Sequence, residues 1–468
     1  MEAAQVGVRV VRVRCCPKTA PCPQCGRRGR RKQVLPSRQV RTIAYKQVVY
    51  LEVTCAEYRA ACGCCKTFRT TVEGVELGCR YDNQVRQAVL DRILEDGMSV
   101  PNVRRALKRD FLLDLSEGFV YDCLHRKVEQ LNMAEYRRWV FEHFGGTLCV
   151  DELHLGRYTL LLATDPLGDF PVAFALVEKN DQRHMERFLK NLQRNGLSPE
   201  VVVTDGSGLY PALLAELWPE ARHQLCVFHV IKDVNEHVLD AVKRLRRKQS
   251  RRGNRGRRRK RGRPSKAHRA YRKRRQTSLK EKAHFVFKHR YLIVTREENL
   301  TVADQERLRK MFEYLPGLRT LRTFVERMYR LFDPDQSEHQ AHCRRAALAG
   351  NDAFQKVPEL AKAIRMLRPQ QFSKMIAFLQ GPAAKQVRTN NHVERANRKL
   401  RYYEKVRYKW RRRRTIVRFL ILALDRWWRE HPKFTATAAP DRKRPCGKPS
   451  HPSKSHKIQP IHQLQLSG

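Results

Sequence analysis

Asp205 closes a β-branched run, Val201–Thr204, and Gly206, Ser207 and Gly208 then turn the chain ahead of the apolar run Leu209–Leu217. This pattern reads as a buried strand that presents a carboxylate at its carboxyl end, followed by a sharp turn. Strand-end carboxylates are where α/β folds hold metals and substrates, although an Asp ahead of a helix also serves as an N-cap. A second acid, Asp151, follows Thr147–Val150, and TLCVDELHL (147–155) reads as a strand ending in that residue. Neighbouring acids suit chemistry less well. Glu152 alternates to the other face from Asp151, Asp165 and Asp169 flank a hairpin turn, and Asp233 follows the last strand-like segment.

Soft donors form a separate set near the N-terminus. Cys22-Pro-Gln-Cys25 is followed by Cys62-Gly-Cys-Cys65, with alternating segments at Ile43–Tyr45 and Val48–Val53 between them. Two such knuckles joined by a hairpin supply four thiolates, which suits tetrahedral structural zinc. Cys22, Cys25, Cys62 and Cys65 keep the two-residue spacer, with Cys64 as the ambiguous member and Cys15, Cys16 and Cys55 as spares. Redox chemistry would need only one such pair.

The elements that must carry these groups follow from periodicity. Three helical stripes run through residues 81–131: Val85, Val89, Ile93 and Leu94; then Val103, Leu107 and Phe111 after Ser99; then Phe119, Leu124 and Val128 after Ser116. With a tight turn at Gly97 they fit a helix-turn-helix unit. After the Asp151 strand, YTLLLATD (158–165) and FPVAFALV (170–177) read as a hairpin, and Gln182–Asn195 as an amphipathic helix. The Asp205 strand, a helix, and RHQLCVFHV (222–230), a strand entering a helix, complete the order β-β-β-α-β-α-β-α. That order is the one of an RNase H-like core, a mixed five-stranded sheet in which the first and fourth strands are neighbours. Asp151 and Asp205 would then meet, as two-metal phosphoryl chemistry requires.

Composition narrows the partner. Ninety-six Lys and Arg against 47 Asp and Glu give a formal net charge of +49. Such a charge repels itself within a compact fold and calls for a polyanion, nucleic acid first. No apolar run approaches the roughly 18 residues of a membrane span, and the Val-Arg alternation after Gly7 lacks the apolar region of a signal peptide. The chain therefore reads as intracellular, and its 14 cysteines as metal ligands and buried thiols rather than disulfides. Residues 243–275 hold twenty Lys or Arg, a block expected to stay disordered until it meets opposite charge. Within it Arg261-Gly-Arg263-Pro264 has the form of an AT-hook, whose two arginines lie along a narrow minor groove. Helical periodicity returns over Leu308–Phe332, Ala346–Phe354 and Leu360–Leu379, an all-α insertion, and again over residues 388–428.

CPQCG, CGCCKTF, CVDE, VVTDGSGLYP, LCVFHVIKD and TNNHVERANRKLR together resemble the DDE-class transposases of bacterial insertion sequences, particularly the ISL-type group, over about residues 15–430. The resemblance implies a zinc ribbon (1–75), a helix-turn-helix domain (80–135), an RNase H-like core (145–240) and its last helix (386–430). A basic disordered insertion (241–280), an all-α insertion (281–385) and a disordered tail (432–468) complete the expected plan. It also implies Asp151, Asp205 and Glu394 as acids holding Mg²⁺ or Mn²⁺, Zn²⁺ at the ribbon, and a C-x-x-H element at Cys226 and His229 that supports the acids without binding the cation. The expected partners are double-stranded DNA, as transposon ends and target, and further copies of the chain in a dimer or higher assembly, at the nucleoid of a bacterial cytoplasm. Arg395, Arg398, Lys399 and Arg401 would face phosphates, Asn390, Asn391 and His392 would cap the Glu394 helix, and Trp410 would stack on a base or in the core. The activity implied is end binding followed by metal-dependent cleavage and strand transfer. The alternative is an inactive or domesticated relative acting as a sequence-specific DNA-binding protein, which would have no need of the three acids.

Overall fold

The computed structural model describes residues 8–208, 210–252, 265–382, 386–406 and 412–430. The chain divides into two units. Among the described residues, one takes Val8–Arg138, the hairpin tip His154–Thr159 and those from Asn397 to Glu430; the other takes Trp139–Leu153 and Leu160–Ala396.

The first unit opens with a sheet of six strands: β1 (Val8–Cys15), β2 (Thr19–Pro21), β3 (Arg28–Val34), β4 (Arg38–Thr42), β5 (Val48–Arg59) and β6 (Thr67–Arg69). The twelve-residue β5 organises it. Its first half pairs in parallel with β1 and antiparallel with β4; its second half pairs antiparallel with β3 and β6. The strand expected at Ile43–Tyr45 lies instead at Arg38–Thr42. The buried Arg41 guanidinium decides this, donating to the carbonyls of Thr42 and Val49 at 2.8 Å and to that of Phe111 at 3.0 Å. Two small cores result, one of Val40, Val53, Cys55 and Val75, the other of Ala20, Cys22, Ala56, Tyr58 and Phe68. Cores this small rarely hold a fold without a staple.

Four helices follow: α1 (Asn83–Leu94), α2 (Val100–Phe111), α3 (Glu117–Glu129) and α4 (Met133–His143). Asp82 and Ser116 cap α1 and α3 through their side chains, and Pro101 occupies the first turn of α2. The buried faces carry Val85, Val89 and Ile93, then Val103 and Leu107, then Leu124 and Val128. Gly97 turns the chain at φ +67°, a conformation that disfavours a side chain.

In the second unit lies a five-stranded sheet built from β7 (Thr147–Leu155), β8 (Tyr158–Asp165), β9 (Phe170–Val177), β10 (Val201–Thr204) and β11 (Arg222–Leu225), in the order β11-β10-β7-β8-β9. A two-residue link between β7 and β8 permits only antiparallel neighbours. β10 is parallel to both β7 and β11, reached through the crossover helices α5 (Gln182–Arg194) and α6 (Pro211–Leu217). α5 buries Met185, Phe188, Leu189 and Leu192 along one stripe. β11 gives way to a helix at Val227, within the 222–230 segment read as a strand entering a helix. Its outer edge is covered: Gln224 donates to the Met375 carbonyl at 2.9 Å and accepts from Phe378 N at 2.7 Å.

The rest of this unit is helical, with α7 (Val227–Arg252), α8 (Lys266–Lys288), α9 (Val302–Tyr314), α10 (Leu318–Arg330), α11 (Glu338–Ala349), α12 (Asp352–Gln355), α13 (Pro358–Met366) and α14 (Pro369–Met375). They share a core that includes Val234, Val238, Phe324, Met328, Phe354, Leu360 and Phe372. The expectation of disorder over 241–280 is corrected at both ends, where α7 and α8 run into the basic block. Lys and Arg are good helix formers. The helices are also anchored: Ala241, Val242 and Val286 are buried, Arg244 pairs with Glu359 at 2.7 Å, and Arg246 lies over the Phe287 ring at 4.8 Å. Arg261, Arg263 and the AT-hook sequence fall outside the described residues, as do Trp410 and the 432–468 tail. The last described helices are α15 (Asn391–Val406) and α16 (Arg413–Arg429), in which Phe419, Leu420, Ile421 and Leu422 are all buried.

Candidate active site

β10 lies beside β7 with Val201 opposite Thr147 and Val203 opposite Cys149. Continuing that register two residues sets Asp205 opposite Asp151. Asp205 lies just past the end of β10, whereas Asp151 sits midway along β7, which runs on beyond its partner. The sequence reading of Asp151 as a strand end is corrected accordingly. Asp205 does not cap α6. Its Oδ1 accepts from Ser207 N at 2.9 Å, closing the turn, and the helix begins only at Pro211. Tyr210 is buried and donates its hydroxyl to Glu152 Oε1 at 2.6 Å. Burial pushes the Tyr210 phenol well up, and the charges of Glu152, Asp205 and Asp151 add to it.

Glu394 occupies the first turn of α15. Its Oε1 is buried without a hydrogen-bond partner, 3.7 Å from His229 Nε2. The ligand atoms of Cys226, His229 and Glu394 lie within 4.8 Å of one another. The hydrogen bond to Cys226 pushes His229 up to about 9 against the effect of burial, and the charges of Cys226, Glu394 and Asp205 contribute further. The fold therefore brings Glu394 to Cys226 and His229, and the register of β7 and β10 leads on to Asp151 and Asp205. Among the described residues, neither aspartate joins a group of three or more close donors.

Two residues that position Glu394 escape a reading of the sequence. Asn390 does not cap the helix with its side chain. It is fully buried, donates from Nδ2 to the Val150 carbonyl at 3.0 Å, and its backbone N–H donates to Cys226 Sγ at 3.2 Å. The start of α15 is thus tied to the strand of Asp151 and to the β11–α7 junction, where Cys226 N also donates to the Thr204 carbonyl at 2.8 Å. Asp169, dismissed from sequence as a turn residue, pairs with His392 Nε2 at 2.8 Å and Arg395 at 3.5 Å. Its φ of +59° was the available signal, since only Asp, Asn and Gly adopt it readily. Asp165 is structural, accepting from the backbone N–H groups of Gly145 and Leu167.

A family model described as a transposase, of the ISL3 DDE type, matches residues 148–415, more than half of the chain. The chain belongs to the ISL3 transposase family. A search of curated proteins returned no match. The matched span holds the five-stranded sheet, the helical insertion and both Glu394 and its neighbours. Membership implies DNA as the partner of this transposase. No helix among the described residues is long and apolar enough to cross a membrane.

The thiol cluster of the transposase sits on two hairpin turns of the first unit. Gly26, at φ +74°, lets its N–H reach the Cys22 carbonyl at 2.9 Å, and Ala60 N closes the second turn onto the Lys66 carbonyl at 3.1 Å. The four sulfurs within 4.8 Å of one another are those of Cys22, Cys25, Cys62 and Cys64. Cys65, the member expected from the spacing, stands beside the set with its sulfur 3.9 Å from that of Cys22. The β5–β6 turn brings the exposed Cys64 around to face the first knuckle, so a C-x-C pair replaces the C-x-x-C one. The backbone N–H groups of Gln24 and Cys25 pull the Cys22 thiol down to about 6. Cys25 is pushed up to about 12: the Arg27 N–H lowers it, but hydrogen bonds with Cys62, burial and the other thiols outweigh that. Four cysteine sulfurs this close suit zinc.

Of the residues expected on DNA, Arg395, Arg398, Lys399 and Arg401 are exposed along α15. Lys399 lies over the Trp427 ring at 4.6 Å. A groove of about 540 Å³, walled by Phe228, Tyr291 and Tyr329 and edged by Arg296 and Arg388, opens beside the Cys226–His229 segment.

Proposed function

We propose that this transposase binds the terminal inverted repeats of its element through the ribbon and the α1–α3 helix-turn-helix, then cleaves DNA and transfers a strand on an RNase H-like core. The observation that carries the reading is the parallel β7–β10 register, with Val203 opposite Cys149, which continued by two residues leads to Asp205 and Asp151. The strand order, with the meander on one side and parallel strands on the other, is the one such a core requires. Asp151 and Asp205 supply the hard oxygen donors that Mg²⁺ or Mn²⁺ prefers, and Glu394, with an unpartnered buried oxygen, is the third acid. Asp151, Asp205 and Glu394 would hold the cations, whose chemistry when bound would be activation of a water or a 3′-hydroxyl and stabilisation of the leaving oxygen. The residues themselves fix position: Asn390 and the Asp169–His392 pair hold the first turn of α15, and the exposed arginines beyond Glu394 hold phosphates. The test is Asp205→Asn with terminal-repeat DNA. Cleavage in Mg²⁺ falls about 10³-fold, roughly 4 kcal/mol of transition-state stabilisation, while binding stays within a few-fold. Full cleavage by that variant overturns the assignment.

A further inference from the structure

We infer that Cys226, His229 and Glu394 form a binding site for a zinc ion, and that zinc there withdraws Glu394 from the DNA chemistry; the second half of this inference rests on Glu394 being the third acid. Three kinds of donor converge: a sulfur, an imidazole nitrogen and a carboxylate oxygen, all within 4.8 Å. Tetrahedral Zn²⁺, with bonds of about 2.0–2.3 Å, sets its ligand atoms about 3.4–3.6 Å apart. His229 Nε2 and Glu394 Oε1, at 3.7 Å, are nearly there. Mg²⁺ disfavours a thiolate and takes oxygen, so the set selects a softer cation than the aspartates do.

Burial and unmet hydrogen bonding point the same way. Glu394 Oε1 and His229 Nδ1 are both buried without a partner. The Cys226 sulfur, fully buried, accepts from Asn390 N and stands immediately before the first residue of α7. The side chains of His229 and Glu394 remain 31% and 25% exposed, which leaves an ion a way in. All three donors stand on or beside the first turns of α7 and α15, held by the Asn390–Val150 hydrogen bond, so the site does not depend on a loop. Three protein ligands leave a fourth position open.

The full-length chain decides it. Wild type is expected to hold one zinc equivalent beyond that of the ribbon thiols, and Cys226→Ser to lose that one alone. With the ribbon filled by zinc, added Co²⁺ should give a thiolate charge-transfer band in wild type that Cys226→Ser lacks. Glu394→Gln, which leaves the buried sulfur in place, should keep the band but need about 10–100-fold more cobalt to reach it. Mg²⁺-dependent cleavage by wild type should fall at least tenfold as the second zinc site fills. A wild-type chain that takes no zinc beyond the ribbon, or a band indifferent to both variants, overturns the site. A cobalt band with no cleavage in Mg²⁺ at any zinc level defeats the transposition reading and leaves the site standing. Cleavage without the band does the reverse.

Discussion

The four-cysteine group of the ribbon and the Cys226–His229–Glu394 group could each hold a metal ion, and they are assembled on different scales. Cys22 and Cys65 are 43 residues apart, and both sit on hairpin turns of one small sheet. The hydrogen bond that seats the Glu394 helix joins Asn390 to Val150 across 240 residues. The ribbon has two cores of a few side chains each, so a cation bound there would supply much of its folding energy. The second unit's sheet buries Leu148, Val150, Leu160, Leu162 and Val203 completely. On the proposed reading, soft donors on tight turns would make a structural site and hard donors on long-range elements one free to serve chemistry.

The contrast breaks most visibly on metal removal. A strong chelator applied to the full chain should release amide protons of β2, β3 and β6 to rapid exchange, because structural zinc contributes on the order of 10 kcal/mol. The amides of β7, β8 and β10 should stay protected, and equal loss in both sheets would end the distinction.

Acid should reach the catalytic sheet by another route. Burial, helped by the charge of Lys374, pulls His223 on β11 down to about 4, and its Nε2 is held 2.8 Å from the Thr204 hydroxyl. The unfolded chain takes that proton below about 6.5. The neutral histidine thus contributes stability above that pH, and the contribution is lost as pH falls towards 4, at most about 3 kcal/mol. Urea unfolding of the second unit at pH 7 and pH 4.5 reads the slope, and His223→Gln should flatten it. An unchanged slope in that variant removes His223 as the cause.

Asn390→Ala probes the long-range seat itself. It leaves the Val150 carbonyl unpaired in the core, which costs about 1–3 kcal/mol. The same loosening of α15 should lower cleavage about 10–100-fold with little change in DNA affinity. A stable, fully active variant would show that Glu394 is positioned by something else.

The finest distinction lies within the ribbon. Cys64→Ser should weaken zinc binding about tenfold more than Cys65→Ser, roughly 1.4 kcal/mol, since Cys64 completes the four-sulfur set. Competition with a chromogenic chelator measures both, and the opposite ranking would return the fourth ligand to Cys65.

Much of the architecture was legible in the sequence because it is local. Asp82 and Ser116 announce their helices, the stripe of Met185, Phe188, Leu189 and Leu192 announces α5, and Val201–Thr204 before a glycine turn announces β10. Each signal spans a few residues and depends on backbone periodicity or on one cap. Tertiary structure alone decided that β1 runs parallel to β5, that Cys64 rather than Cys65 completes the four-sulfur group, and that basic residues at 243–252 and 266–280 stay helical. It also turned Asn390 towards Val150, Asp169 towards His392 and Glu394 towards His229. Those pairings join residues from distant parts of the chain, and no local pattern records them. Propensity and periodicity fix which elements form, whereas the packing of buried faces fixes which ends of them meet.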